Sequence, residues 1–316
     1  MQGNVNVAIV GLGGMGQAHT RDLLAWDDAP CKIVAGIDTS ETRRNAYRDT
    51  FCVPVYTYLY QQPVDAVIVC TPHAAHYCNV LHALEMGAHV LCEKPLAITS
   101  QEAEKMLMYP RMRLATCQHL RADGLWRAMR SLYQAGSIGE LREVRLKCLH
   151  NQLAMYQDKA NWRARITESG GGILIDTGNH LTDALFWILG EGPQQVDATI
   201  ERFGCEVDIL TTVACQWPTG ATGQMVFNAQ ADGVDEMLEI VGSVGMLSYS
   251  NGACELVQRC GSDFLLNRTV QREEQGNSPA RNFILAILGR EALQAPADLT
   301  VARFVDKVYR SAGENL

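Results

Sequence analysis

Several features that would assign this sequence to a specialised class of protein are absent from it. Neither lysine nor arginine forms a long run, and the formal net charge of -8 argues against a surface for nucleic acid or anionic membranes. No stretch reaches the roughly 18 uninterrupted apolar residues that a membrane-spanning helix needs. The opening residues, MQGNVNVAIV, show no charged region followed by a long apolar region and a cleavage site, so no secretory signal is predicted. These absences favour a cytoplasmic protein with small-molecule partners.

Paired cysteine motifs are also missing. The eleven cysteines are scattered, form no C-x-x-C pair and fall mainly within apolar runs such as AVIVC and VLC. We interpret them as reduced core residues of a cytosolic protein.

The length and the order of predicted elements indicate two domains. A chain of 316 residues exceeds the size at which one core usually keeps growing. In the first part, short β-branched runs alternate with helical patterns, which predicts an α/β domain with a doubly wound parallel sheet. In the second part, strands follow one another with turn residues between them, which predicts an α+β domain with a large, mostly antiparallel open sheet. We therefore predict domains at residues 1–120 and 121–316, the second including the two closing helices.

A glycine-rich loop follows the first predicted strand. Gly11-Leu12-Gly13-Gly14-Met15-Gly16 fits the pattern G-x-G-x-x-G between a strand and a helix, and Asp38 ends the second strand 22 residues after Gly16. The glycines permit close backbone approach, and the helix N-terminus offers N–H groups to a pyrophosphate. A purely structural turn is the alternative, but the flanking strand, helix and acid favour a Rossmann dinucleotide-binding domain. Asp38 favours NAD, although Arg43 and Arg44 leave NADP possible.

Charged residues end the strand AHVLC. Ligands of open parallel sheets bind beyond the carboxyl ends of the strands, so Lys94 is predicted to lie near the nicotinamide and to donate a hydrogen bond to a substrate oxygen. A surface ion pair between Glu93 and Lys94 is the alternative, but neighbours along a strand point to opposite faces. Glu93 is predicted to have a positioning role, and Pro95 stops strand pairing.

Asp176, His180 and Asp183 lie on one stripe of the helix predicted over ILIDTGNHLTDALFWILG. The helix is apolar on most sides, so burying two carboxylates and a histidine is costly unless they serve a pocket. A hydrogen-bonded core histidine is the structural alternative for His180. A divalent metal site is the rival function, but the stripe has one imidazole only, and we predict no metal.

The sequence resembles the glucose-fructose oxidoreductase and inositol dehydrogenase (Gfo/Idh/MocA) family over nearly its whole length. The resemblance rests on GLGGMGQAH, CTPHAAH, GAHVLCEKPLA, the GSIGELREV strand entry, NWR before SGGGILIDTGNHLTD, and the closing YRSA. The EKP block and the D-x-x-x-H motif are its most specific parts. One departure is Arg121-Ala122-Asp123-Gly124, where many members have R-F-x-P.

The resemblance implies an NAD(P)-dependent oxidoreductase that transfers a hydride between C4 of a nicotinamide and a carbinol carbon of a polyol, cyclitol or sugar. His180, held by Asp176, would take the hydroxyl proton, while Lys94 stabilises the same oxygen; the sequence leaves open which of the two holds the proton. The predicted catalytic residues are Lys94, Asp176 and His180. The predicted cofactor contacts are Gly11, Gly13, Gly14, Met15, Gly16, Asp38, Thr71, Pro72, His73, His76, Glu93 and Lys94. The predicted substrate contacts are Lys94, His119, Arg163, Asp176, His180 and Asp183.

Other functions known in this family remain open at this point. They are a non-catalytic NAD(P)-sensing regulator, an NAD-dependent glycosidase, and imine or dihydrodiol chemistry on the same scaffold. For assembly, too few helices remain to cover both faces of the late sheet, so a homodimer or homotetramer is predicted.

Overall fold

The computed structural model describes residues 4–59, 63–109, 113–260 and 264–314, without the side chains of residues 259, 260 and 264–266. The chain forms two compact units. The first comprises Met1–His119 and Asn277–Asp298, and the second comprises Leu120–Gly276 and Leu299–Leu316.

A six-stranded parallel sheet organises the first unit, in the order β3-β2-β1-β4-β5-β6. Its short central strands are apolar throughout, as in AVIV of β4, because helices cover both faces of such sheets. The strands are β1 (Val5–Val10), β2 (Cys31–Ile37), β3 (Val55–Tyr56), β4 (Ala66–Val69), β5 (His89–Cys92) and β6 (Leu114–Thr116). The helices between them are α1 (Gly14–Leu24), α2 (Glu41–Phe51), α3 (His76–Glu85) and α4 (Ser100–Met106). The predicted doubly wound sheet is confirmed.

An eight-stranded sheet organises the second unit, in the order β14-β13-β12-β11-β7-β10-β9-β8. Neighbouring strands are antiparallel except β7 and β10, which are parallel, so the predicted, mostly antiparallel sheet is also confirmed. The strands are β7 (Leu141–Asn151), β8 (Gln195–Glu201), β9 (Leu210–Gln216), β10 (Thr222–Asn228), β11 (Gln230–Gly242), β12 (Gly245–Ser250), β13 (Ala253–Cys260) and β14 (Phe264–Thr269). The helices before β8 are α5 (Gly124–Gln134), α6 (Leu153–Gln157), α7 (Ile166–Ser169) and α8 (Gly178–Leu189).

Strand β7 shows how this sheet divides its two faces. Val144, Leu146 and Cys148 are buried, whereas Arg145 and Lys147 between them are exposed. This period of two places alternate side chains on opposite faces of the sheet. One face therefore belongs to the core, and the other carries charged groups.

The closing helices α9 (Pro279–Ile287) and α10 (Thr300–Ser311) belong to different units. Phe283 and Ile284 of α9 are fully buried in the core of the first unit, and the segment after it pairs with β6 through the bonds Thr116 N to Ala295 O and Ala297 N to Leu114 O. The predicted extent of the second domain therefore requires correction for residues 277–298. Amphipathic periodicity identifies these helices but does not say which core receives them.

No helix among the described residues is both long and apolar enough to cross a membrane.

Candidate active site and cofactor site

The predicted glycine loop joins β1 to α1. Gly11 has φ +90°, and a Cβ on Gly16 would lie 2.0 Å from the Gly11 carbonyl oxygen, so the tight turn requires both glycines. Gly13 is the N-cap of α1 and offers no capping side chain, and a Cβ on Gly13 or Gly14 would meet no atom within 4 Å. The exposed Met15 follows in the first turn. The loop thus combines a helix N-terminus with open space, which fits a pyrophosphate.

Asp38 follows β2 and is buried beside this loop. Its carboxylate accepts hydrogen bonds from Leu12 N (3.0 Å) and Ser40 N (2.8 Å), which joins the glycine loop to the end of β2. Arg44 donates to the main-chain oxygen of Asp38 (2.7 Å), whereas Arg43 lies 3.8 Å from the carboxylate with a 58% exposed side chain. Of the two arginines, Arg43 has the greater freedom to reach a ligand.

Thr71, Pro72, His73 and His76 follow β4. The Thr71 hydroxyl is buried and makes no hydrogen bond within the described part of the chain, as expected for a group that awaits a ligand. Thr71 and Pro72 are half-buried, and the buried His73 ring lies 5.8 Å from that of His76. The segment after β4 therefore offers a second region that could contact the cofactor.

His76 was predicted to contact the cofactor, but its ring is enclosed by protein atoms. The ring is fully buried, with Nδ1 2.7 Å from Pro95 O and Nε2 2.9 Å from Thr71 O. Burial lowers the pKa of His76, although the two carbonyl oxygens oppose this shift. The geometry supports a role in holding the turn after β5 rather than direct contact with a ligand.

Lys94 lies two residues after the end of β5, as predicted, and precedes a cis peptide bond to Pro95. Glu93 beside it is buried, and its carboxylate lies 2.8 Å from His19 Nε2 and accepts from the Lys94 main-chain N–H at 3.3 Å. Burial acts to raise the pKa of Glu93, but hydrogen bonding to His19 and the charge on that ring outweigh it, and the pKa falls to about 2. Glu93 is therefore an anion at neutral pH that orients the backbone of Lys94.

Asp208 organises the turn that carries Asp176 in the second unit. Its buried carboxylate accepts hydrogen bonds from Gly172 N (2.5 Å), Leu174 N (3.0 Å), the Thr211 hydroxyl and the Tyr309 hydroxyl. A Cβ on Gly172 would lie 1.9 Å from the Asp208 carbonyl oxygen, which explains the glycine. The residues between Gly172 and Gly178 are thereby held in a wide turn, with a bond from Gly178 N to Ile173 O.

We expect Asp208→Asn to lower the free energy of unfolding by about 3 kcal/mol, because an amide donor would replace an acceptor that faces buried donors. Urea denaturation measures this loss. Asp232→Asn, which changes an exposed carboxylate in the same unit, is the control and should stay within about 0.5 kcal/mol of the wild type. Equal stabilities of the two variants would contradict the role given to Asp208.

The position of Asp176 differs from the predicted one. The helix α8 begins at Gly178, so Asp176 lies in the preceding turn and His180 in the first turn of the helix. The predicted helical stripe is thus wrong for Asp176, because Asp208 binds the backbone of residues 172 and 174. Asp176 accepts from Arg163 Nε at 2.8 Å, and the Arg163 guanidinium stacks on the Trp162 ring. The predicted residues Arg163 and Asp176 are therefore in direct contact, and His180 is half-buried nearby in the chain.

Asp183, a predicted substrate contact, forms a buried ion pair. Arg121 donates to both of its carboxylate oxygens, from Nε at 2.9 Å and from Nη2 at 2.6 Å. This bidentate pair joins the segment before α5 to α8 within the second unit. Arg121 is the residue that the RADG segment shares with the family pattern R-F-x-P, so the departure at Ala122 and Gly124 leaves the partner of Asp183 in place. His119, another predicted substrate contact, is exposed and is the last residue of the segment Met1–His119 of the first unit.

Sequence reasoning missed four residues that build these sites: Cys117, Arg121, Asp208 and Tyr309. A signal existed for Asp208, since an acid between Val207 and Ile209 interrupts an apolar run. For Cys117 and Arg121 no local pattern indicates the partner, because the partners lie 98 and 62 residues away.

A glycine loop between β1 and α1, an acid after β2 and a lysine beyond β5 define an NAD-binding oxidoreductase of the Rossmann type. Two family models match: the oxidoreductase family with an NAD-binding Rossmann fold over residues 5–118, and the GFO/IDH/MocA C-terminal domain over residues 126–248. The chain belongs to the GFO/IDH/MocA family. The predicted family, oxidoreductase class and NAD-type cofactor are confirmed.

Curated relatives include enzymes named for sugars and cyclitols. The chain is 37% identical to 1,5-anhydro-D-fructose reductase of Ensifer adhaerens over 45% of its own length and 42% of that protein, so this match spans less than half of the relative. It is 25% identical to myo-inositol 2-dehydrogenase of Thermotoga maritima over 78% of its length and 75% of that protein. Among solved structures, levoglucosan dehydrogenase in complex with NADH is similar with a TM-score of 0.86 and 21% identity, covering 98% of this chain and 97% of the other. That similarity establishes the fold.

Proposed function

We propose that the chain catalyses the reversible NAD-dependent oxidation of a secondary alcohol in a sugar, cyclitol or related polyol. The observation that carries this proposal is Lys94, which lies just beyond β5 and is anchored through Glu93. The family supports the redox chemistry, and the named activities of the relatives from Ensifer adhaerens and Thermotoga maritima support the substrate class.

The chain's own residues would handle the proton and the substrate oxygen. Bound NAD supplies the hydride acceptor. His180 takes the hydroxyl proton as the carbinol carbon is oxidised, and the Lys94 ammonium donates a hydrogen bond to the same oxygen. We propose that Asp176, itself held by Arg163, orients the His180 ring. The Arg163 side chain is 31% exposed, which supports the predicted substrate contact through the part of its guanidinium not bonded to Asp176.

A turnover assay tests the proposal. Purified protein is incubated with NAD and a panel of inositols, 1,5-anhydro sugars, aldoses and a trans-dihydrodiol, and NADH is followed by absorbance. The dihydrodiol is included because a trans-1,2-dihydrobenzene-1,2-diol dehydrogenase is 27% identical over 72% of this chain. NADH formation with a polyol supports the proposal. NAD binding without turnover on any substrate would favour the sensing regulator, and glycoside cleavage without net NADH would favour the glycosidase.

We expect NAD to bind about tenfold more tightly than NADP, because the Asp38 carboxylate repels a 2′-phosphate. Fluorescence titration of both cofactors measures the ratio. Arg43→Ala should weaken NADP selectively if this exposed guanidinium reaches the phosphate, whereas Arg44→Ala, which removes main-chain hydrogen bonds, should affect both cofactors equally. NADP binding tenfold more tightly than NAD would contradict the prediction.

We also propose that the outer face of the large sheet mediates a homodimer or homotetramer. Apolar groups on this face are only half-buried, including Val226, Met237 and Val241. Ion pairs join Arg145 to Glu143 and Glu239 beside them. A mixed apolar and charged surface of this kind is typical of subunit interfaces.

Light scattering at micromolar concentration should therefore report a mass of at least twice 34.8 kDa. Met237→Lys should yield monomers, since it would bury a charge without a partner in the proposed interface. Gln134→Lys places the same charge on α5 and should leave the assembly intact. A wild-type monomer would contradict the prediction.

A cytoplasmic location is likewise proposed. The described cysteines are thiols, and five of them are buried as core residues. A reducing compartment preserves this state. Fractionation of the native host tests it.

A further inference from the structure

Three potential metal ligands converge in the first unit, and one of them, Glu93, also orients the backbone of Lys94. His19 comes from α1, Glu93 follows β5 and Cys117 follows β6, and their ligand atoms all lie within 4.8 Å of one another. His19 Nε2 is 2.8 Å from Glu93 Oε1 and 3.8 Å from Cys117 Sγ. The three come from separate segments, so sequence spacing does not reveal the cluster. The prediction of no metal was argued from the stripe of Asp176, His180 and Asp183 and not from these residues.

The donor set is suited to a thiophilic divalent cation. Imidazole nitrogen, carboxylate oxygen and thiolate sulfur are all zinc ligands, whereas calcium and magnesium select oxygen. One carboxylate, one thiolate and a neutral imidazole would balance the two positive charges of zinc. Such a neutral assembly avoids an uncompensated charge at a buried position.

The present distances are close to those of a tetrahedral zinc site. Zinc bond lengths place neighbouring N and O ligands about 3.3 Å apart and N and S ligands about 3.6 Å apart. The observed separations of 2.8 Å and 3.8 Å therefore need adjustments of only about 0.5 Å and 0.2 Å. The side chains of His19 and Glu93 are only 8% and 10% exposed, so the cluster is buried.

We propose that His19, Glu93 and Cys117 form a binding site for zinc or a related thiophilic cation, with a fourth position for water. On binding, the Cys117 thiol and the His19 Nε2–H that faces Glu93 each lose a proton to solvent, and the remaining ring proton resides on Nδ1 while Nε2 coordinates the ion. No electron is transferred. Binding draws the Glu93 carboxylate away from its present contacts, including the Lys94 main-chain N–H, so occupancy inhibits catalysis. This inhibition rests on the proposed function, whereas the binding does not.

Cobalt(II) is the probe for binding, because a cobalt–thiolate bond produces a charge-transfer absorption that other ligands do not. The wild type and the variants Cys117→Ala and Cys92→Ala are titrated with cobalt chloride without thiol reductants. Cys92 is the matched control, a buried neighbouring thiol whose Sγ lies 3.8 Å from Leu96 O. We expect the wild type and Cys92→Ala to share a thiolate band that Cys117→Ala lacks, with at least about tenfold weaker cobalt binding in that variant. A band that persists in Cys117→Ala, or is absent from the wild type, overturns the proposal.

Zinc inhibition provides the second readout. The zinc concentration for half-inhibition should rise at least tenfold in Cys117→Ala but not in Cys92→Ala. If cobalt binds through Cys117 but zinc does not inhibit turnover, the metal site is supported and the proposed inhibition of catalysis is overturned. A chain without turnover on any substrate would refute the proposed function alone, because the cobalt spectra need no substrate. If circular dichroism shows that Cys117→Ala does not fold, His19→Gln removes a different ligand and decides the same question.

Discussion

Replacing Lys94 or His180 by alanine should lower kcat by about 100-fold to 10 000-fold, because each change removes either the donor to the substrate oxygen or the proton acceptor. The dissociation constant for NAD should stay within a fewfold, since the glycine loop and Asp38 are untouched. Steady-state kinetics and fluorescence titration measure the two quantities. Lys105→Ala, an exposed lysine of α4, is the control and should retain wild-type turnover.

The double variant Lys94→Ala/His180→Ala should be scarcely slower than the slower single variant, because groups that act on one oxygen fail as a unit. The rate of oxidation should rise with pH as the base loses its proton, and His180→Ala should abolish or move that limb if His180 is the base. Near-wild-type turnover of the single variants on an authentic substrate would show that these residues are structural.

The second large effect concerns stability. Phe283→Ala should lower the free energy of unfolding of the first unit by about 3–5 kcal/mol, since the ring is 0% exposed and its loss leaves a cavity. Urea denaturation, monitored through the loss of NAD binding, measures this effect. Phe203→Ala removes an exposed ring from the second unit and should have little effect. If both variants behaved alike, α9 would not belong to the core of the first unit.

Much of the fold could be predicted because local patterns determine it. The alternation of strands and helices before residue 118, and the turn-separated strands after residue 195, both correspond to the observed sheets. The two-residue strand β3 is too short to show periodicity, and β14 was also missed. The destination of α9 depends on long-range packing, which an amphipathic pattern does not encode.

The candidate site was predictable where a motif and its chemistry coincide in one segment. The glycine loop, Asp38 and the strand-end position of Lys94 follow from such segments. The start of α8 was misjudged because Asp208, 32 residues after Asp176 in the sequence, holds the turn before it. The ion pair of Asp183 could not be predicted for the same reason, since its partner Arg121 comes from a distant segment.

The return of residues 277–298 to the first unit has a consequence for the order of synthesis. A ribosome that has released residues 1–119 has delivered six strands but not the helix that packs into their core, and about half of the chain must follow before α9 emerges. The apolar surface awaiting Phe283 and Ile284 is exposed throughout that interval. The nascent NAD-binding unit is therefore a natural client for chaperones, and its folding is completed only when translation is nearly finished.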